Sequence, residues 1–231
     1  TGEYANGSQT SQLISLHLGL VPDEHKARVL ERLFHVIKQD NYHLSSGFVG
    51  MPILLPELTK QGQPDLAWTI ATQTTFPSFF DAILNRGNTV FKEDWTGGQV
   101  QMPNLQGHIS TWFYESLAGI RRDPAFPGMK RIQMHPETSN TLTWVKAHHN
   151  NLYGRIESEW KKEGSTFTWK VTVPANTTAE IRIPAKNAAA VKESGRPLGD
   201  VAGASEVSYA DGYVKVILGS GTYLLSSEEA F

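Results

Sequence analysis

The spacing of apolar residues changes once along this chain, and that change limits the possible folds more than any other feature. Up to about Leu117 the apolar positions recur at helical intervals, whereas beyond Gly128 they alternate. A helix turns the same face inward every three to four residues and a strand every two. The chain therefore divides into a helical part over residues 1–128 and a sheet part over residues 129–231. The rigid stretch Asp123-Pro124-Ala125-Phe126-Pro127-Gly128 marks the boundary. With 231 residues there is enough chain for each part to bury a core.

In the first part, Ser8 or Thr10 caps a helix with Leu13, Leu16, His17 and Leu20 on one side. Pro22-Asp23-Glu24 opens a second helix, amphipathic, with Val29, Leu30, Leu33, Phe34 and Ile37 inward. A third follows Ser45-Ser46-Gly47 and runs to about Lys60. Between Phe48 and Leu58 it is apolar nearly all round, so it is expected to be buried on both sides, with Gly47 and Gly50 allowing a close approach at its start. Further helices are predicted from Pro64 to Thr72, from Phe76-Pro77-Ser78 to Arg86-Gly87, and from Gly107 to Leu117 with Ile109, Trp112, Phe113 and Leu117 inward. Short links make neighbours antiparallel. Helices apolar all round, alternating with amphipathic ones, point to a two-layer helical toroid, of which about half of a six-hairpin ring fits here. Trp68 is expected between the layers. A half ring also leaves an apolar face to be covered by further helices or a partner.

In the second part, alternating segments at Leu142–Ala147, Gly154–Trp160, Thr166–Val173, Ala179–Ile183, Tyr213–Leu218 and Thr222–Leu225 are separated by turn signals such as Glu163-Gly164 and Asp211-Gly212. This is the pattern of an antiparallel β-sandwich. Trp144, Trp160 and Trp169 are expected in its core. The fold class is thus α+β and multidomain: a partial helical toroid, then a sandwich.

Composition excludes several functions. A net charge of -2 gives no basic surface for nucleic acid, and no run of eighteen apolar residues exists to enter a membrane. There is no cysteine, so disulfides, thiolate metal sites and cysteine nucleophiles are out. His148 and His149 are adjacent on a strand and point to opposite faces, which is not a metal-ligand pair. No glycine loop that would cradle a phosphate is present, and nothing calls for a cofactor.

The stretch with the most chemistry is Asn85 to Gly98. It carries the carboxylates Glu93 and Asp94, the cation Lys92 and the indole Trp95, with glycines on either side. Loops mounted on rigid scaffolds commonly hold active sites. A carboxylate beside an indole suits a sugar site, one group working at the anomeric centre and the other stacking on the ring. An acidic, solvated loop has the same composition.

The chain resembles the C-terminal part of bacterial α-L-rhamnosidases. The matching stretches include His43-Leu44-Ser45-Ser46-Gly47-Phe48-Val49-Gly50, Asp65-Leu66-Ala67-Trp68, Thr72-Gln73-Thr74-Thr75-Phe76-Pro77-Ser78 and Gly87-Asn88-Thr89 leading to Glu93-Asp94-Trp95. Leu117-Ala118-Gly119-Ile120, Pro127-Gly128 and Tyr153-Gly154-Arg155-Ile156 continue the order. The resemblance implies an (α/α)6 barrel followed by a β-sandwich, and inverting hydrolysis of a terminal α-L-rhamnosyl linkage in a rhamnose-containing oligosaccharide or glycoside. It implies that Glu93 is the general base, in the family pattern Gly-Ala-Thr-Thr-x-Trp-Glu-x-Trp-x-Gly, and that Trp95 stacks on the sugar. Asp94, Lys92, His43, Asn104 and His108 are further candidates for the rim of the site. The family's general acid lies upstream of everything in this sequence, so the chain is expected to hold the base side only and to be inactive alone. A periplasmic or extracellular location is implied, since such enzymes meet polysaccharides outside the cytoplasm.

Two positions depart from the pattern. Lys92 stands where the family has its first Trp. Pro103 stands where the family has a His before the following helix, and His108 is either a substitute or an exposed residue at a helix start. Lys92 and Arg86 also fit an acidic substrate. This keeps open a rhamnose–glucuronate polysaccharide lyase on the same scaffold, with His43, His108 or Tyr114 as base. A non-catalytic carbohydrate-binding protein is the third reading.

Overall fold

The computed structural model describes residues 3–90 and 106–228. The chain forms two compact units, Thr1–Trp112 and Phe113–Phe231.

The first unit is helical. α1 (Gln9–His17) is capped by Ser8, whose Oγ accepts the Ser11 amide at 3.3 Å. Its C-terminus is closed by Gly19 N–H to Leu16 O and Leu20 N–H to Ser15 O, a Schellman pair. That closure turns the chain off the helix before Leu20. Leu20, expected on the buried side, is consequently 61% exposed. α2 (Asp23–Gln39) has acidic residues in its first turn and buries Val29, Leu33 and Ile37 in one stripe. α3 (Met51–Lys60) begins later than its apolar run suggests. Phe48 and Val49 lie in the preceding turn and are exposed, so burial begins with the helix itself, at Met51, Leu54, Leu55 and Leu58.

α4 (Pro64–Ala71) packs on α3, and α3 and α2 both pack on α1. α5 (Asp81–Leu84) is a single turn, much shorter than the predicted helix. After a 3-10 turn at Gln106–His108, α6 (Ile109–Trp112) ends in a fully buried indole. Trp112 Nε1–H donates to Thr59 Oγ1 at 2.9 Å, and the ring lies 6.4 Å from Trp68, which is half-buried beside it.

The second unit opens with a π-helical turn, Phe113–Leu117, in which Phe113 is exposed rather than inward. Among the described residues eleven strands follow: β1 (Ile120–Arg122), β2 (Arg131–Met134), β3 (Trp144–Asn151), β4 (Gly154–Glu163), β5 (Thr166–Val173), β6 (Thr178–Pro184), β7 (Lys192–Glu193), β8 (Arg196–Pro197), β9 (Ala204–Ala210), β10 (Tyr213–Leu218) and β11 (Gly221–Glu228). They form two sheets, ordered β1-β2-β6-β10-β9 and β3-β4-β5-β11-β7-β8. Neighbours pair antiparallel except β2 and β6, which run parallel. β1 is already part of the first sheet and precedes the Asp123–Gly128 turn.

The sandwich core is built from alternate residues of both sheets, among them Ile156, Phe167, Val171, Ile181, Val214, Val216 and Leu225. Trp160 and Trp169 lie in it as expected, and their polar tips are satisfied. Trp160 Nε1–H donates to Leu117 O at 2.7 Å, and Trp169 Nε1–H to Ser158 Oγ at 2.9 Å. Ser158 passes the chain on to Ala118 O at 2.6 Å. Each such bond contributes about 1 kcal/mol, and leaving a buried donor unpaired costs more.

Trp144 corrects the expectation, being 61% exposed. The register explains why. Val145 pairs with the inward Trp160, so Trp144, paired with Lys161, falls on the outward face. Gly119 sits at φ 75°, and a Cβ there would overlap the His135 carbonyl carbon and the Pro136 nitrogen. This close approach lets His135 N–H reach Gly119 O at 2.9 Å beside the β1–β2 ladder.

His135 itself is mostly buried, edge-on to Tyr213 at 4.8 Å, and its Nε2 has no hydrogen-bond partner among the described residues. Burial pushes its pKa down from 6.5 to about 4; Glu137 opposes the shift, while Arg121 and Arg182 add to it. The ring is thus uncharged at neutral pH. Its 3.8 Å approach to Glu137 is not an ion pair, and Arg121 holds that carboxylate instead at 2.8 Å. Between these two pKa values the unfolded chain binds a proton that the folded chain refuses. Stability from this group is therefore complete above the unfolded value and falls with pH through the window, by about 3 kcal/mol in total. Urea unfolding at about pH 7 and about pH 4.5 should show this slope in the wild type and a flatter one in His135→Phe. Equal slopes would contradict the assignment.

Candidate active site

The loop after α2 is held by side chains rather than by regular structure. Asn41 and Tyr42 take left-handed backbone angles of 50° and 62°. His43 Nδ1 lies 2.8 Å from Asn41 O and 3.2 Å from Asp40 O. Both carbonyls can only accept, so Nδ1 carries the proton. In the neutral ring Nε2 then accepts from Thr75 Oγ1 at 2.8 Å. Gln9, fully buried on α1, closes the same loop from below. Its Oε1 accepts from Ser46 N at 3.0 Å and Ser45 N at 3.3 Å, and its Nε2 donates to His43 O at 3.4 Å. Ser45 Oγ donates to Asp40 Oδ2. A Cβ on Gly50 would come within 2.7 Å of Thr10 Oγ1 and 2.8 Å of Ser46 Cβ, which is the close approach its position predicted; Gly47 has open space instead.

A second knot forms around Asp81. Its amide donates to Ser78 Oγ at 3.0 Å, its Oδ1 accepts from Asn85 Nδ2 at 3.0 Å, and its Oδ2 meets Arg86 Nε at 2.7 Å. Asn85 Nδ2 also donates to Thr74 O at 2.7 Å, and the Arg86 guanidinium lies 4.8 Å from the centre of the Phe76 ring. Leu44 N–H to Pro77 O at 3.2 Å, with the His43–Thr75 bond, joins the two knots. From here Asn88 N–H returns to Ala82 O at 2.9 Å in a wide turn at Gly87 that starts the carboxylate-bearing segment.

Glu93, Asp94, Trp95, Lys92 and Asn104 lie outside the described residues. Of the remaining site residues, His43 is drawn into the joined knots with both ring nitrogens engaged. His108 is exposed on its 3-10 turn, with no polar partner among the described residues. Arg86 is tied to Asp81 at 2.7 Å and lies over Phe76, with its side chain 34% exposed. Tyr114 is exposed and edge-on to His149 at 6.5 Å in the second unit. Gln9 and Asp81, the two residues that organise the frame, were missed by sequence reasoning. The only signals were a glutamine at a helix start and an aspartate five residues before an arginine.

Elsewhere, a cavity of about 580 Å³ in the second unit is lined by Glu115, Arg121, Arg122, Asp123, Phe126 and Gln133 among others. The Asp123 carboxyl is held below its usual range by its hydrogen bond to Arg131, which lies at 2.5 Å and stacks over Phe126. Among the described residues no group of three or more His, Cys, Asp or Glu could hold a metal ion, and no helix is long and apolar enough to cross a membrane.

Thr75→Val removes the hydroxyl that His43 accepts from. The expected result is a stability loss of about 1 kcal/mol, with faster amide hydrogen exchange in both joined loops, residues 40–46 and 74–78. Unchanged exchange in residues 40–46 would show that the loops are not coupled through this bond.

The family model for the bacterial alpha-L-rhamnosidase 6 hairpin glycosidase domain matches residues 1–117, and that for the bacterial alpha-L-rhamnosidase C-terminal domain matches residues 119–197. The chain is 32% identical over 195 residues to an alpha-L-rhamnosidase of Streptomyces avermitilis, covering 80% of this chain and 19% of that one. Among solved structures, it superposes on the S. avermitilis alpha-L-rhamnosidase complexed with L-rhamnose with a TM-score of 0.80 at 29% identity, covering 98% of this chain and 22% of the other. On the alpha-L-rhamnosidase of Dictyoglumus thermophilum the TM-score is 0.83 at 29% identity, covering 96% and 25%. The chain spans 19% to 24% of the length of the curated relatives it matches.

Proposed function

Since the chain belongs to the bacterial α-L-rhamnosidase family, we propose that the full-length protein hydrolyses terminal α-L-rhamnosyl linkages with inversion, using Glu93 as general base. The observation that carries the reading is the joined pair of knots at His43–Thr75 and Asp81–Arg86. A loop anchored this firmly at Gly87 gives the following carboxylate a fixed point of departure, which catalysis by positioned groups requires.

In this mechanism Glu93 takes a proton from a water on the face of the sugar opposite the leaving group. A general acid roughly 6.5–9.5 Å away protonates the departing oxygen, and the space between the two admits that water. The acid, with the remaining barrel helices, comes from the rest of the full-length protein. Trp95 stacks on the rhamnose ring. Asp94, Lys92, Asn104 and His108 meet hydroxyls at the rim, and His43 contributes by holding the loop of Thr75 in place. The L-rhamnose complexed with the S. avermitilis enzyme supports a rhamnosyl substrate.

The lyase alternative loses ground because Arg86, one of its two cations, is engaged with Asp81. The relatives and solved structures similar to the chain carry the name of a hydrolase.

In the full-length protein, Glu93→Gln should lower kcat on a neutral aryl α-L-rhamnoside by about three orders of magnitude with little change in KM. Near-normal turnover in that variant would rule Glu93 out as the base.

A further inference from the structure

The outward face of the sheet β3-β4-β5-β11-β7-β8 has an arrangement that the sandwich core does not need. Trp144 and Leu224, 61% and 55% exposed, stand on it among polar side chains. Register places them. Trp144 pairs with Lys161 and Lys161 with Thr168, while Lys146, Glu159, Lys170 and Leu224 form the adjoining row. These side chains line a cavity of about 310 Å³, near the lower end of the volumes usual for small-molecule sites.

The charged groups lining it are Lys146, Lys161 and Lys170 against a single carboxylate, Glu159. Glu159 lies 3.1 Å from Lys146 Nζ and 3.8 Å from Lys170 Nζ. Lys170 also reaches Glu157 at 3.3 Å, outside the cavity. Among the described residues Lys161 pairs only with Glu163, and both of these side chains are largely exposed, so that bond yields readily to a competing anion. The cavity is therefore net positive beside a bare indole.

A pyranose ring has the matching chemistry. Its C–H face is apolar and packs on an aromatic ring, its hydroxyls meet polar groups at the rim, and a uronate adds a carboxylate for a lysine ammonium. We propose that this face is a carbohydrate-binding site for a uronate residue of an oligosaccharide, with the sugar stacked on Trp144 and its carboxylate on Lys161. The site goes beyond the hydrolysis proposed above and does not depend on Glu93.

The test is calorimetric titration of the full-length protein with an oligoglucuronate free of rhamnose, and with the same oligosaccharide after reduction of its carboxyl groups to alcohols. The acidic form should bind more tightly than the reduced form. Trp144→Ala should weaken both by about tenfold, the loss expected for one stacked aromatic ring. Lys161→Gln should weaken only the acidic form, and turnover of a small aryl rhamnoside should be unchanged in both variants. Binding unaltered by Trp144→Ala, or no preference for the acidic form, would overturn the proposal. So would protection of Trp144 from hydroxyl-radical oxidation in the free full-length protein, since another segment or a second copy would then cover this face.

Discussion

The contact on which the irregular end of the helical unit depends is the ion pair between Asp81 and Arg86. Asp81 is almost wholly buried, and a carboxylate removed from water without partners costs several kcal/mol. Its two oxygens are therefore matched, one by the Arg86 guanidinium and the other by the Asn85 amide. Satisfying that one group fixes the turn from Phe76 to Gly87, although α5 supplies only four helical residues. The same logic runs through Gln9, whose buried amide serves three backbone groups of the neighbouring loop. Irregular backbone survives at this end of the unit because Gln9, His43 and Ser78 side chains pair its backbone groups.

The second unit uses the same device in its core. Trp160 and Trp169 supply much of the apolar volume, and their indole N–H groups point at one short segment. Through Leu117 O and through Ser158 to Ala118 O they hold the chain that leads into β1. Gly119 then allows the backbone of His135 and Pro136 to come close enough to start the β1–β2 ladder. The packing that makes the sandwich stable thus also sets where it begins.

Much of this was legible in the sequence. The change of period separated helices from strands, and alternation in Thr166–Val173 and Tyr213–Leu218 matches the buried and exposed rows of β5 and β10. What was not legible has physical reasons. By residue type Trp144 belongs in the core, but its phase places it with Lys146 and Lys161, and phase decides when one face is solvated. Leu20 and Phe48 belong to apolar runs that the backbone leaves through turns closed by long-range and local hydrogen bonds. The parallel pairing of β2 with β6 depends on contacts distant in sequence, which no local pattern encodes. At the candidate site, the pairing of Arg86 depended on a partner, Asp81, that only the fold brings to it, while Glu93, Asp94 and Trp95 of the same loop lie outside the described residues.

The most direct test of the account is the stereochemistry of the product. Full-length protein would be given an aryl α-L-rhamnoside, and the first rhamnose released followed by proton NMR before its anomers equilibrate. β-L-rhamnose should appear first, because a water activated by Glu93 attacks from the face opposite the leaving group. Initial release of the α-anomer would contradict it, since Glu93 would then act through a covalent intermediate or not act at all.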